Sequence, residues 1–164
     1  MKIISHRGNL DGLNPAIENH PDQIQKCIDL GYDVEIDLRM KDGAPHLGHD
    51  EAQYFVTQDW VEKRKDFLWI HAKEHDALVW LINHTPDSKY FCHQSDDFTV
   101  VNKGYIWLHN LENSMNEKCI IPLLGMNDIL NFLKKKNATK PGFICTDFVL
   151  PLKKLYPGNE DKND

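Results

Sequence analysis

Long apolar stretches are missing from this sequence. A membrane-spanning helix needs about 20 consecutive, mainly apolar residues, and no run in the chain approaches that length. The opening segment MKIIS is too short for a secretory signal and runs straight into polar residues. We therefore expect no stable membrane insertion, and a cytoplasmic location follows by default.

Basic charge is also scarce. The 164 residues include 19 Lys and Arg against 25 Asp and Glu, which gives a net charge of −6 and a pI near 5.8. Because nucleic-acid-binding domains are usually basic, we expect no nucleic-acid partner. An acidic chain also steers an anionic substrate poorly, so a phosphate ligand would need help from a metal ion or a few nearby basic side chains.

Cysteines are few and stand singly, at Cys27, Cys92, Cys119 and Cys145. The sequence contains no CxxC pair, and the spacing does not resemble the framework of a small disulfide-rich secreted protein. Buried thiols in a reducing compartment are the expectation that fits this pattern.

Short apolar runs that end in polar residues recur along the chain and predict strands. We expect eight of them, at Lys2–Ser5, Tyr32–Leu38, Phe67–His71, Tyr90–His93, Thr99–Val101, Tyr105–His109, Cys119–Leu123 and Phe143–Thr146. Helical patterns cover Pro21–Leu30, Glu74–His84 and Met126–Lys136, the last with Asn127 as a possible N-cap. Strands alternating with helices indicate an α/β fold with a parallel sheet, and eight strands suggest a (β/α)8 barrel.

The length of the chain limits this barrel. A typical (β/α)8 barrel takes about 250 residues, so some helices must here be reduced to loops. The segment 91–110 holds three of the predicted strands and leaves no room for helices between them. The composition is uniform and no linker interrupts it. We therefore expect one compact, reduced TIM-like barrel domain over residues 1–156, followed by a polar tail over 157–164.

Two carboxylates stand at alternate positions of the second predicted strand. Glu35 and Asp37 point to the same face, because side chains alternate along a strand. If the apolar residues between them pack against helices, both carboxylates point into the barrel, where they are costly unless paired or bound to a metal ion. A solvated strand face would give the same pattern. The pair is nevertheless suited to a hard divalent cation.

Polar residues also follow the first strand. His6, Arg7 and Gly8 come directly after it, and the C-terminal ends of barrel strands face the active site. Arg offers a planar fork for phosphate oxygens, although an ordinary strand exit could have the same sequence. His49 and Asp50 follow a dozen residues after Asp37.

These pieces occur in an order that resembles the glycerophosphodiester phosphodiesterase family. That family has His-Arg-Gly after its first strand, a Pro-Glu-Asn turn, a helix, Glu-x-Asp in the second strand, a Lys-Asp-Gly turn and a His-Asp. This chain reads HRG, then AIENHPDQIQKCIDLGYDVEIDLRMKDG, then GHD. Ile17 replaces the usual Pro. The closing strand GFICTDF is also similar, and we expect Asp147 in it to bond the backbone at the strand end.

The resemblance implies a TIM-like barrel and a metal-dependent phosphodiesterase acting on glycerophosphodiesters or related substrates, with a place in lipid metabolism. It implies that Glu35 and Asp37 hold the metal ion and that Glu18 orients the site or touches the metal. His6 and His49 would act as general acid and base, in either order. Arg7 and Lys73 would hold the phosphate oxygens.

One position departs from the family pattern. The third strand of the family commonly ends Glu-x-Lys, with the Glu on the metal, whereas this chain reads His71-Ala72-Lys73. If His71 binds the ion, the expected preference moves from Mg or Ca toward Mn, Fe or Zn. If it does not, the metal rests on the carboxylates and water.

Other functions stay open at this point. His93 and His109 end predicted strands and could face the same mouth, and His93 is a candidate substrate contact. A degenerate barrel that binds a phosphorylated ligand without turnover is one alternative. A zinc-type metallohydrolase that uses some of the nine histidines is another. The sequence predicts no particular oligomeric state.

Overall fold

The computed structural model describes residues 1–135 and 140–157. Within these ranges there are ten strands and five helices. The strands are β1 Lys2–His6, β2 Asp33–Lys41, β3 Ala44–Leu47, β4 Tyr54–Phe55, β5 Leu68–Ala72, β6 Lys89–Phe91, β7 Phe98–Val101, β8 Tyr105–Leu108, β9 Cys119–Pro122 and β10 Phe143–Thr146. The helices are α1 Pro21–Asp29, α2 Gln58–Glu62, α3 His75–His84, α4 Met126–Lys134 and α5 Val149–Leu155.

Eight of the strands form one curled sheet in the order β6-β5-β2-β1-β10-β9-β8-β7. These are the eight strands that the sequence predicts. Neighbours are parallel from β6 through to β8. The remaining two strands, β3 and β4, form an antiparallel excursion from the far end of β2. The architecture is therefore a mixed α/β fold built on a barrel-like sheet with few helices.

The expectation of a reduced (β/α)8 barrel is met in part, because the sheet is barrel-like but the described strands do not close into a full barrel. β7 runs antiparallel to β8, because the chain is too short there to do otherwise. A parallel crossover needs a dozen or more residues, and only residues 92–97 connect β6 to β7. In the described chain no strand ladder joins β6 to β7, and no helix lies between β6 and β9.

Asn102 bridges the seam between β6 and β7. Its backbone N–H donates to the Tyr90 carbonyl at 3.0 Å, and its side-chain oxygen accepts from the Tyr90 N–H at 2.7 Å. Its side-chain nitrogen donates to the Ser88 carbonyl at 2.8 Å. One side chain thus satisfies edge groups that a strand ladder would otherwise pair.

Alternation along the strands divides the apolar residues into inner and outer layers. The inner layer is a buried cluster inside the curl, formed by Ile4, Trp69, Phe91, Val101, Trp107, Ile120 and Cys145. The outer face of β2, with Val34, Ile36 and Leu38, packs against α1 and α3 in a second cluster. A third cluster joins α4 and α5 to the outer faces of β9 and β10. The polar residues at the strand ends lie on top of this apolar inner cluster.

The helices differ from the sequence-based expectation at their ends. α4 is capped by Gly125, not by Asn127, and it ends at Lys134, while position 136 lies outside the described residues. Two short helices, α2 and α5, have no counterpart in the prediction. The tail expected over 157–164 also lies outside the described residues, apart from Pro157. Among the helices described, none is long and apolar enough to cross a membrane.

Candidate active site

The C-terminal ends of the parallel strands surround a cleft of about 630 Å³. Most of the residues singled out in the sequence line it, namely His6, Arg7, Glu35, His49, His71, Lys73 and His93. Asp37 lies fully buried beside them, and Glu18 lies behind Arg7. The fold therefore brings to one place residues that are separated by up to 87 positions in the chain.

The backbone turns sharply directly after β1, at Arg7 and Gly8. Arg7 and Gly8 both have positive φ angles, of 52° and 87°. A left-handed conformation is unfavourable for Arg, but its backbone N–H donates to the Glu35 carbonyl and its carbonyl accepts from the Asn19 N–H, each at 2.9 Å. At Gly8 a Cβ would come within 3.2 Å of Gln23 Cγ. The turn places the Arg7 guanidinium over the carboxylates of β2.

Glu35 and Asp37 share the inner face of β2, as their spacing predicts. Both are buried, and Val34 and Ile36 on the opposite face are in the core. Ligand atoms of Glu35, Asp37 and His71 all lie within 4.8 Å of one another. Glu35 Oε2 and Asp37 Oδ1 are buried and have no hydrogen-bond partner within residues 1–135 and 140–157. Oxygens of this kind, with an imidazole beside them, fit a divalent cation.

Asp37 is surrounded by positive groups. Arg7 Nε lies 2.9 Å from Asp37 Oδ2, and Lys73 Nζ lies 3.4 Å from Asp37 Oδ1. Asn19 donates from its side chain to Asp37 Oδ2 at 3.0 Å. Burial alone would raise the pKa of Asp37, but His71, Arg7 and Lys73 lower it well below the usual range. Asp37 is therefore an anion at any physiological pH.

The pKa of Glu35 is shifted in the opposite direction from that of Asp37. Burial and then the neighbouring Asp37 charge raise its pKa. The two carboxylates therefore differ. Asp37 is ionised and held by cations, whereas Glu35 would be stabilised in its ionised form by a positive charge placed beside it. A divalent ion against both would remove the repulsion between them.

His6 is held by a residue that the sequence reasoning assigned elsewhere. The Asp147 side chain was expected to bond the backbone, but among the described residues its Oδ1 lies 2.7 Å from His6 Nδ1 and accepts from the Asn9 side chain at 2.8 Å. Burial opposes protonation of His6, but Asp147 and then Glu35 outweigh it and raise its pKa. β1 and β10 are neighbours in the sheet, and their ladder pairs Ser5 with Thr146. This contact could have been predicted from the expectation that the first and last strands lie side by side.

Glu18 belongs to this second group of residues. Its carboxylate accepts from the Asn9 side chain at 2.8 Å and from Arg7 Nη1 at 3.3 Å. Its ligand atoms lie close to those of His6 and Asp147, not in the group formed by Glu35, Asp37 and His71. Because the Asn9 amide nitrogen already donates to both Glu18 and Asp147, the arrangement favours an orienting role. The prediction that Glu18 touches the metal stays a prediction.

His49 reaches the cleft from the loop after β3. Its Nδ1 lies 2.8 Å from Asp50 Oδ1, so both His6 and His49 contact an Asp through Nδ1 and keep Nε2 for other partners. Gly48 has a φ of 149°, and a Cβ there would collide with the Glu51 carbonyl oxygen. A residue with a side chain at 48 would therefore displace the turn that presents His49.

A wall of rings closes the other side of the cleft. The His71, Phe91 and His93 rings are nearly parallel, with the His71 centroid 5.0 Å from that of Phe91 and 4.6 Å from that of His93, and the His93 ring lies 4.4 Å from that of His109. Burial, followed by the nearby charges of His71 and His109, lowers the pKa of His93 to about 4. Burial and His71 also lower the pKa of His109. The His93 and His109 imidazoles are therefore neutral at neutral pH.

The chain matches no known protein-family model and no curated protein sequence. It is similar to the crystal structure of a protein from Galdieria sulphuraria that is provisionally assigned as a glycerophosphodiester phosphodiesterase. The identity is 15%, the match covers 96% of this chain and 98% of that one, and the TM-score is 0.47. A likeness this distant does not establish a shared activity.

Proposed function

We propose that this protein is a metal-dependent phosphodiesterase that hydrolyses a small, glycerophosphodiester-like substrate in the cleft. The observation that carries the proposal is the grouping of ligand atoms of Glu35, Asp37 and His71 within 4.8 Å of one another, with the buried Glu35 Oε2 lacking a hydrogen-bond partner in the described chain. Five histidines, among them His6 and His49, and the cations Arg7 and Lys73 line the same cleft. The order of motifs in the sequence gives independent support.

Glu35, Asp37 and His71 would hold the ion. A bound divalent cation would supply positive charge to the non-bridging phosphate oxygens and to the charge that develops during displacement. The donor set of two carboxylates and one imidazole accepts Mg or Ca, and the imidazole favours Mn or Zn more than an all-oxygen set does.

His6 and His49 supply the proton transfers. Each has Nδ1 against an aspartate, which leaves Nε2 as the atom that takes a proton from the attacking hydroxyl or gives one to the leaving alcohol. His6 Nε2 lies 3.9 Å from Glu35 Oε2, so it stands beside the group that would hold the metal. Either histidine can act first, since both keep an imidazole nitrogen for the substrate.

Arg7 and Lys73 bind the phosphate oxygens in this proposal. Their charges are held at the cleft by Asp37, and they supply locally the positive charge that the acidic chain lacks. His93, on the opposite wall, would contact the substrate as a neutral donor. The cleft volume of about 630 Å³ suits a small polar diester.

Turnover and metal content test the proposal together. The protein is stripped with a chelator, and hydrolysis of bis(p-nitrophenyl) phosphate is measured with Mg, Ca, Mn or Zn added. We expect activity only with metal, and His6→Ala and His49→Ala should each lower it by about a hundredfold or more. Asp37→Asn should weaken ion binding in calorimetric titration, while the exposed Asp29→Asn should not. Turnover without added metal, or a metal affinity of Asp37→Asn equal to that of the parent, would contradict the proposed function.

One observation favours a second function, binding of a phosphorylated ligand without turnover. Asp37 is already neutralised by Arg7 and Lys73, which lowers its pull on a metal ion. A protein of this kind would bind inorganic phosphate or glycerol phosphate in the metal-free state and hydrolyse nothing. The same experiment separates the two functions when phosphate binding is titrated alongside turnover.

A further inference from the structure

We propose that Arg39 and Glu74 form a clamp that positions His49 at the cleft. Neither residue lines the cleft, and neither has a role in the site described above. The catalytic consequence of the clamp rests on the proposed phosphodiesterase function, whereas its effect on His49 does not.

Arg39 holds the backbone of His49 with a fork of two hydrogen bonds. Its Nε and Nη2 donate to the His49 carbonyl at 3.0 and 2.6 Å. Arg39 stands two residues after Asp37 on β2, and therefore on the same face as Glu35 and Asp37. The strand that carries the two carboxylates thus also fixes the loop that carries His49.

Glu74 holds Arg39 in turn. Its Oε2 lies 3.3 Å from Arg39 Nη1, and its Oε1 accepts from the Met40 N–H at 2.6 Å. Glu74 occupies the N-cap position of α3, where a side chain commonly bonds the first turn of its own helix. Here the carboxylate turns to β2 instead. The residue before it is Lys73, so the clamp ties three parts of the site together: β2, the His49 loop and the start of α3.

The loop has few other restraints at this point. The Gly48 N–H donates to the Asp37 carbonyl at 3.1 Å, and the Gln53 N–H donates to the Leu47 carbonyl at 2.9 Å. Residues 50 and 51 are exposed. Bonds to a charged donor are stronger than neutral ones, so the two bonds from Arg39 are the principal polar restraint on the His49 backbone. Their loss should let the imidazole move away from the position it needs.

The test uses three variants of the full chain, Arg39→Gln, Arg39→Lys and Arg64→Gln. Arg64 is a matched control, because it also bonds a backbone carbonyl, that of Trp60 at 3.1 Å, and a side chain, that of Gln25 at 2.9 Å. Backbone 15N relaxation is measured for residues 48–51. We expect order parameters near 0.85 in the parent and in Arg64→Gln, and below about 0.6 in Arg39→Gln. Arg39→Lys, which keeps the charge but not the fork, should be intermediate.

Turnover of the same diester gives the second readout. A misplaced catalytic group costs about a hundredfold in rate, so kcat should fall on that order in Arg39→Gln with a smaller change in KM. Unchanged order parameters in Arg39→Gln would overturn the clamp. If the parent protein turns over no substrate, the proposed function fails while the relaxation experiment still decides the clamp. If Arg39→Gln does not fold, Arg39→Lys and Glu74→Gln give the same comparison.

Discussion

At the scale of single residues, the site depends on partners that tune the two histidines. His6 is buried against Asp147 and close to Glu35, whereas His49 sits in a loop against the exposed Asp50. The two imidazoles therefore work in different environments. A buried aspartate fixes the orientation of the ring and favours its protonated form, so the effect of removing that charge can be given a sign.

Asp147→Asn should lower the pKa of His6. The native carboxylate raises that pKa, so the variant loses the proton at lower pH. If His6 is the base, the acid limb of the pH–rate profile moves to lower pH, and if it is the acid, the basic limb does. Both cases give the same direction. The pKa is read from the His6 ring proton by NMR in the presence of a chelator.

The control for this prediction is Asp29→Asn on the exposed end of α1. It removes one negative charge far from the cleft and should leave the His6 titration in place. A His6 titration that stays unchanged in Asp147→Asn would show that the 2.7 Å contact does not tune the imidazole.

His71→Glu should move the metal preference toward Mg and Ca. The imidazole lies against Asp37, and replacing it by a carboxylate gives an all-oxygen set, which harder cations prefer. We expect the ratio of Zn to Mg affinity to fall on the order of tenfold or more. Calorimetric titration with both ions measures it. The same substitution at the exposed His75 is the control, and an unchanged ratio in His71→Glu would remove His71 from the metal site.

At the scale of elements, the seam between β6 and β7 is the least regular part of the sheet. The parallel sheet stops there because the six residues between the two strands cannot form a crossover. Asn102 replaces the missing ladder with side-chain bonds to Tyr90 and Ser88. On its β6 side, the β7–β8 hairpin is therefore held by the bonds of Asn102 and by the Thr99 hydroxyl, which donates to the Cys92 carbonyl at 3.0 Å, whereas on its other side β8 pairs with β9.

Asn102→Ala should destabilise the fold by about 2 kcal/mol or more, since two part-buried backbone groups lose their partners. Urea denaturation followed by circular dichroism measures the free energy of unfolding. Asn110→Ala is a matched control, because Asn110 also makes two side-chain bonds, to Asp97 and Glu112, at the exposed surface. Equal losses in the two variants would show that the seam has no special importance.

At the scale of the whole molecule, the accessibility of the four cysteine thiols shows which parts of the sheet are covered. Cys92 is exposed, whereas Cys27, Cys119 and Cys145 are buried, and all four are free. Burial raises the pKa of the Cys27 and Cys145 thiols, which reduces their thiolate at neutral pH. The native protein should therefore present one reactive thiol to a disulfide reagent.

Titration with 5,5′-dithiobis(2-nitrobenzoate) checks this. We expect one thiol to react quickly in buffer and the others only in guanidinium chloride. Cys92→Ser should abolish the fast phase. Fast reaction of two or more thiols in the native protein would show that the core between the sheet and its helices opens readily.

The sequence by itself determined the strand set and most of the cleft. Alternation of apolar and polar residues fixed the inner face of β2, and strand ends that carry His, Arg and Lys marked the mouth of the sheet. These signals are local, because they depend on side-chain period and on the rule that parallel strands end on one side. The alternation of predicted strands with helices indicated the α/β class of fold in the same way.

Only the tertiary structure decided which residues meet across strands. The contact of Asp147 with His6 depends on β10 lying beside β1, although the two residues are 141 positions apart. The antiparallel β7 and the Arg39–Glu74 clamp likewise depend on connection lengths and on side-chain geometry in three dimensions. Hydrogen bonds and ion pairs act over a few ångströms in space and leave no period in the chain, so the sequence alone could not assign them.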